Sequence, residues 1–521
     1  MILFAALAAI PSAGAPRALH AQAKTDKSQP VIRPRTMAED LQLFTQVFNQ
    51  IRVNHPDSLD SHRLFMAAIH AMVRATDPHS YVIPAMRLAP GKHEKWIDGK
   101  LHPVPVSFQF IGGSAVVRGV AAGTAASRQD ILPGDELVAI EGAPVVAESA
   151  MELEITLSGD RGSGVHLTFE RRRADGTYVT LDRTVKRERF AEESAVPASL
   201  MLDDSTGYVR ITTFVGEKVS ADLRSALSGL EDDGMRRLVL DLRQNGGGSV
   251  EEAAHVAGEF LPTGAIVYTS EGRRASSVDT GRVKRSFWRS ERSYPMVVLI
   301  DDGTASASEL VAGALQDHDR ARIVGQPSFG KSLMMRGFPL ADGSILVLVV
   351  GQVRTPCGRA VQRQYRGVSN RDYFRMASAE RDTVGRPTCK TKSGRVVYGG
   401  GGIYPDVRVP APADPPRWFA KVNELELPLA WVGGFMGEHG ASLGTLESFR
   451  ATPKLPAGTA DRFREFASSR GAEIPRDAES DRLLERLLIQ AVAYAKWGGA
   501  GVYQVEAYLD PAVRNAMTHF P

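Results

Sequence analysis

At 521 residues, 43% hydrophobic and 24% charged, the chain is long enough for roughly two to four packed domains and too apolar for wholesale disorder. Its 63 basic and 60 acidic side chains nearly cancel to a net +3, and no basic stripe carries interleaved aromatics. That balance lacks the electrostatic footprint of a nucleic-acid binder.

The chain opens "MILFAALAAIPSAGAPRALHAQAKTDKSQP". Residues 2–10 form an apolar run of signal-peptide length, well short of the about 20 residues that span a bilayer. Ala21-Gln22-Ala23 has the small-x-small form of a cleavage site, and Pro11 and Gly14 argue against a buried helix. No Lys or Arg precedes the run, the one signal-peptide feature that is missing. The expectation is a signal peptide over 1–23 and export to a periplasmic or extracellular space. No later segment reads as transmembrane.

Residues 37–76 carry two amphipathic helical patterns, the first with Leu41, Phe44, Val47, Phe48 and Ile51 on one face. They open an N-terminal helical region, 37–100, in which "DPHSYV" (77–82) ends the second helix with a proline turn. Residues 101–190 change to short β-rich runs, among them "VSFQF", "SAVVRGV", "ELVAIEG", "VHLTFERRR" and "YVTLDRTV", separated by turns such as Pro133-Gly134-Asp135. From 195 to 410 the pattern alternates. "RLVLDLR" and "MVVLID" are buried-strand runs, each followed by a glycine-containing turn and a helical run, which indicates an α/β layer with functional groups beyond its strand ends. Residues 411–521 are helical, with Asp481 as the expected N-cap and Gly498 as the stop of the last long helix.

"GQPSFGKS" (325–332) matches the phosphate-cradling G-x-x-x-x-G-K-S pattern letter for letter. A P-loop lysine must be followed at once by a helix whose N-terminus helps bind phosphate. Here Gly337 and Pro339 follow, then β-rich "ILVLVVGQV", so nucleotide binding is rejected and Lys331 needs another use.

Upstream, "GTASASE" places Ser306 between the strand 296–301 and the helix 307–318. Free N–H groups at a helix start favour developing negative charge, as a serine nucleophile requires. The Ala307 N–H and the glycine turn "NGGG" (245–248) are candidate oxyanion donors. His318 lies about 18 Å along the same helix and cannot serve as base. Lys331 can return to that end of the sheet, and burial beside Phe329, Leu333 and Met334 would bring its pKa from about 10.4 toward the neutral range. Ser306-x-x-Glu309 is equally a capping box that only starts a helix, and both readings stay open on residue logic. Thr304 and Ser308 are weaker nucleophile candidates. The two cysteines, Cys357 and Cys389, show no zinc-ligand spacing; they form either one disulfide closing a loop of about 32 residues or two free buried thiols.

"LVLDLRQNGGG", "DDGTASASELVAGALQDHDRARIVGQPSFGKS" and "GGGGIYPDV" resemble the C-terminal processing peptidases, or tail-specific proteases. "ATDPHSYV" is similar to that family's N-terminal segment, "ILPGDELVAIEGAPV" to its PDZ domain and "YLDPAVRNAM" to the end of its helical tail. The resemblance implies an α/β + β multidomain chain. A ClpP/crotonase-like α/β protease core (195–410) is interrupted by a PDZ domain (101–190), with helical regions at both ends. It implies a serine endopeptidase acting near protein C-termini, with Ser306 as nucleophile, Lys331 as base, and Gly247 and Ala307 as oxyanion donors. No metal or cofactor is implied. Expected partners are protein or peptide substrates and an activating adaptor. The terminal amphipathic helices allow packing within the chain, the default, or a homodimer.

Two positions depart from the family. Many members carry glutamine four residues after the lysine, where this chain has Met335, a weak acceptor. The carboxylate-binding PDZ strand corresponds to Pro105 and then Val106, Ser107 and Phe108, and Pro105 has no N–H to donate. A non-catalytic peptide- or lipid-binding protein on the same fold is the alternative function, and Met335 is its support.

Overall fold

The computed structural model describes residues 35–521 apart from 87, 112–113, 122, 148, 173–176, 191–193, 286–289, 380–381 and 411–413. The expected signal peptide, 1–23, lies outside the described residues. The described residues fall into two compact units that meet in the chain between Ile69 and His70.

In the first unit, helix Met37–Asn54 starts at Thr36, whose N–H donates to the Glu39 carboxylate at 2.8 Å while the Glu39 N–H donates back to Thr36 Oγ1 at 3.3 Å. The apolar face read from the sequence buries none of its residues, although Phe44 and Phe48 set their rings against Phe65, 5.9 and 4.2 Å between centroids.

The second unit is built on a six-stranded sheet in the order Val407–Arg408, Arg322–Gly325, Met296–Ile300, Arg237–Asp241, Thr206–Arg210, Ala198–Met201. All neighbours are parallel except the last pair. Strands covered on both faces need apolar side chains at every position, which is why "RLVLD" and "MVVLI" read as unbroken runs. Leu238, Leu240, Met296, Val298 and Ile300 face helices Val219–Asp232, Val250–Gly258 and Ala307–Asp317. Val239, Val297, Leu299 and Val324 face Ala507, Val513 and Ala516 of the C-terminal helices. Each such side chain contributes about 1.5–3 kcal/mol by leaving water. A second, antiparallel sheet joins Tyr81–Ile83, Ile345–Arg354, Ile266–Gly272 and Asp279–Arg282, with Leu333–Pro339 also on Ile345–Arg354.

Residues 106–186 form a separate antiparallel sheet around a core of Val117, Leu137, Leu153, Leu167, Phe169 and Val185. One edge strand is Val106–Ile111, which among the described residues pairs only with Ser114–Val120, and helix Ala150–Leu157 packs beside it. The β pattern in the sequence does not reveal this helix. It buries Glu152, Leu153, Ile155 and Leu157, so no polar face marks it.

The last long helix also differs from expectation. It runs Ala478–Leu509 and is capped by Asp477, whose carboxylate accepts the N–H groups of Glu479 and Ser480, while Asp481 pairs with Arg464. Gly498 does break it: at φ 67° and ψ −164° its backbone is non-helical, so the helix begun at Asp477 stops there and a second one continues across the kink to Leu509.

Candidate active site

Strands Arg237–Asp241 and Met296–Ile300 are parallel neighbours, so the turns that leave them lie side by side at one end of the sheet. Asp301 joins them, its carboxylate accepting the Gln244 N–H at 2.9 Å and the Gly303 N–H at 3.0 Å. Asn245 then clamps one turn onto the other. Its carbonyl accepts the Ala305 N–H and the Ser308 hydroxyl, both at 2.9 Å, and its Nδ2 donates to Ile211 O at 3.0 Å.

This clamp holds Ser306 at φ 57° and ψ −117°, a backbone that costs a non-glycine residue about 1–3 kcal/mol and survives only where its surroundings over-determine it. Ser306 is half-exposed while Thr304, Ala305, Ala307 and Ser308 are buried. The Thr304 hydroxyl donates to Leu242 O at 2.9 Å, so Thr304 and Ser308 both have structural employment. Ser306 and Glu309 do form the capping box, but the Glu309 N–H is also served by the Ser306 carbonyl at 2.9 Å, so starting the helix does not rest on the serine hydroxyl alone.

Gly247, at φ 98°, touches this turn directly: a Cβ there would lie 2.7 Å from Ser306 Cβ and 2.8 Å from Ala307 N. Its N–H donates to Asn245 Oδ1 at 2.9 Å, whereas the Ala307 N–H, first in its helix, donates to no group among the described residues. Gly247→Ala is expected to cost about 1–3 kcal/mol through left-handed strain and to reduce peptidase activity more than tenfold by displacing Ser306. Thermal melting and turnover of one peptide would check it; unchanged turnover would show that the turn has no part in the site.

The lysine arrives from the next strand over. Arg322–Gly325 pairs in parallel with Met296–Ile300, so the chain leaves it at the same end as Ser306. After Lys331 it enters strand Leu333–Pro339 rather than a helix, and the P-loop lettering has no P-loop behind it. Turn 328–331 is instead gathered around Glu309. That buried carboxylate accepts the Ser328 hydroxyl (2.5 Å) and Gly330 N–H (2.7 Å) on Oε1, and the Ser306 and Lys331 N–H groups, each at 2.8 Å, on Oε2. Burial pushes Glu309 up to about 7 against the pull of those donors.

Burial also lowers the Lys331 pKa, opposed by the charges of Glu309 and Asp77. Among the described residues the Lys331 amine makes neither a hydrogen bond nor an ion pair. His318, at the far end of its helix, hydrogen-bonds Ile266 O at 2.8 Å. Met335 lies at a register shift in its strand, opposite Val349.

In the β module Val106 is buried, Ser107 exposed and Phe108 half-buried. Cys357 and Cys389 are joined as a disulfide, Cα atoms 6.3 Å apart. Sequence reasoning passed over three residues near the lysine turn: His79, Gln362 and Tyr373. The His79 and Phe329 ring centroids lie 6.1 Å apart, and Gln362 Oε1 accepts the Ser332 N–H at 2.9 Å. "DPHS" was the available signal for His79; nothing in the sequence brings residue 373 to residue 79.

Residues 205–370 match the peptidase family S41 model. A carboxy-terminal-processing protease of Bartonella bacilliformis is 30% identical over 328 residues, covering 62% of this chain and 73% of that protein. The carboxyl-terminal-processing protease of Synechocystis is 34% identical over 242 residues, and this chain spans about half of it, 53%. Among solved structures, a photosystem II D1 C-terminal processing protease is 23% identical, with 77% of this chain and 98% of that one covered at a TM-score of 0.34. The match to the Bartonella protein, 328 residues long and covering 73% of it, is longer than the family segment 205–370, and on that footing the chain belongs to peptidase family S41, among the C-terminal processing proteases, and is a serine-type peptidase.

Proposed function

We propose that the chain is an exported endopeptidase that cuts proteins near their C-termini, with Ser306 as nucleophile and Lys331 as general base. The observation that carries this is the single oxygen, Glu309 Oε2, that receives both the Ser306 and the Lys331 N–H groups. It fixes the two backbones relative to each other, which is what a nucleophile–base pair requires.

Neutral Lys331 takes the Ser306 hydroxyl proton as Oγ attacks the scissile carbonyl. The developing oxyanion is met by the Ala307 N–H; the Gly247 N–H joins it by exchanging the Asn245 amide oxygen for the oxyanion. Collapse expels the amine, which takes the proton from Lys331, and leaves an acyl ester on Ser306. Water, losing a proton to Lys331, attacks the ester, and collapse frees the acid as Lys331 returns that proton to Ser306 Oγ. Activity therefore requires the lysine uncharged, and kcat/KM rises with pH through its depressed pKa.

Substrate capture falls to residues 101–190, read as a PDZ domain: edge strand Val106–Ile111 offers unpaired backbone beside helix Ala150–Leu157, the geometry of β-strand addition. Pro105 supplies no N–H to a terminal carboxylate. Export is supported by the leader-like 1–23 and by a disulfide, which persists in oxidising compartments. No helix among the described residues is long and apolar enough to cross a membrane.

The test uses residues 24–521 and Lys331→Ala on an unfolded protein with an apolar C-terminus, free or amidated, with fragments read by mass spectrometry. Wild type should cleave, faster at pH 9 than at pH 7, and the variant should lose about 10²–10⁴-fold. Activity of Lys331→Ala near that of wild type would remove the lysine from its role. Equal cleavage of amidated and free substrate would remove the carboxylate from recognition.

A further inference from the structure

The lysine turn is roofed by aromatic rings from two distant parts of the chain. His79 lies 5.3 Å from Tyr373, 5.9 Å from Phe374 and 6.1 Å from Phe329, centroid to centroid, all near edge-on. Phe329 is in turn 5.9 Å from Tyr373 and 6.0 Å from Phe374. A chain of hydrogen bonds links the turn to them. The Ser332 N–H, next to Lys331, donates to Gln362 Oε1 at 2.9 Å, and Gln362 Nε2 donates to Tyr373 Oη at 3.3 Å. The tyrosine hydroxyl is in turn hydrogen-bonded to His79 Nε2 at 2.8 Å.

Both ends of this chain are fastened. The Asp77 carboxylate accepts the His79 and Ser80 N–H groups at 2.8 and 2.7 Å, and the Ser80 hydroxyl accepts the Val349 N–H at 3.0 Å. Arg363 donates from Nη2 to Phe329 O at 2.9 Å. Burial, and after it the Lys331 charge, holds His79 down to about 4, so its ring is neutral across the working range. A ring that stays neutral makes a poor base and a good wall.

We propose that His79, Tyr373 and Gln362 form the positioning unit of Lys331: the hydrogen-bond chain holds the aromatic roof over the turn, and the roof keeps water from the lysine amine. This rests on Lys331 acting as base. The titratable and charged groups around the amine are Glu309 from helix Ala307–Asp317, Asp77 and His79 from the turn before strand Tyr81–Ile83, and Tyr373 from helix Asn370–Ala379, with Tyr365 and Arg363 behind them.

The test is the pH profile of kcat/KM for His79→Ala and Tyr373→Phe in the mature chain, with thermal melting alongside and Lys331→Ala as reference. Opening the roof hydrates the amine and raises its pKa. The acid-side limb should move about one pH unit upward, giving about a tenfold loss at pH 7 that is recovered at high pH. His79→Gln keeps a hydrogen-bond partner for Tyr373, replaces the alanine variant if that one fails to fold, and should leave the limb in place. A uniform loss with an unmoved limb would reduce the cluster to packing and overturn the proposal. A loss in His79→Ala as deep as in Lys331→Ala at every pH would also overturn it, by making His79 the base. An active Lys331→Ala would instead overturn the lysine reading, whatever the His79 variants do.

Discussion

Ser306→Ala is expected to abolish peptide-bond hydrolysis, a fall on the order of 10⁵–10⁶ in turnover, and to leave the fold intact. Alanine keeps the Cβ that contacts Gly247, and it keeps both backbone bonds to Glu309, the N–H to Oε2 at 2.8 Å and the carbonyl from the Glu309 N–H at 2.9 Å. Only the hydroxyl goes. Its loss should move the melting temperature by no more than a few degrees, because a half-exposed hydroxyl contributes little to stability. Fragment analysis and a thermal melt on the same preparation would check both halves. Residual cleavage above about 1% of wild type would require another nucleophile, and Thr304 and Ser308 are poorly placed to be one, being buried with their hydroxyls donated to Leu242 O and Asn245 O.

Glu309→Ala should fail in the opposite way, through the fold first. Removing that carboxylate strands the Ser306, Gly330 and Lys331 N–H groups and the Ser328 hydroxyl away from water. Each unsatisfied donor costs about 1–3 kcal/mol, so the sum reaches at least about 4 kcal/mol, a large share of a typical 5–15 kcal/mol total. The expected result is a sharply lowered denaturant midpoint and no detectable activity. Glu309→Gln should be milder for stability yet still severe for catalysis. Its amide NH₂ must face one of the two donor pairs, either Ser328 and Gly330 or Ser306 and Lys331. A Glu309→Ala chain with wild-type stability would mean that the two turns are held by something else.

The parts of this molecule legible in the sequence are those whose cause is local. "RLVLD" and "MVVLI" are strands because both faces of the sheet are covered, and the turn after each carries its own glycines. The strands from "SAVVRGV" to "YVTLDRTV" alternate against one core, and their boundaries follow their turn residues. Ser306 and Lys331 could be reached from the residues only as candidates, since a capping box accounted equally well for Ser306; the resemblance to the C-terminal processing peptidases singled them out. Glu309 was visible only as half of a capping box; its second task, gathering the lysine turn, depends on a strand order that no residue spacing reveals. The same holds for Tyr373, which meets His79 across 294 positions of chain. Helix Ala150–Leu157 escaped because burial on several sides erases the polar stripe that makes helices readable. Asp477 was displaced in prediction by Asp481 because both acidic residues precede the same apolar run, and only backbone geometry separates a cap from a first-turn acid.

Beneath the glycine turn lies a buried ionic cluster. Asp241, at the end of its strand, accepts the Tyr208 hydroxyl at 2.8 Å and the Arg210 and Arg243 guanidinium groups at 2.9 and 2.6 Å, and those cations hold its carboxyl far below the ordinary range. Arg243 also donates to Asp510 at 2.6 Å, across 267 positions of sequence. The consequence concerns the order in which the chain is made. Ser306, Gly247 and Lys331 all emerge during synthesis well before Asp510, so a growing chain carries these three residues while one counter-charge under the glycine turn is still missing. An unfinished chain, or one clipped in its tail, leaves Arg243 with one carboxylate fewer, next to the turn that Gly247 needs held still.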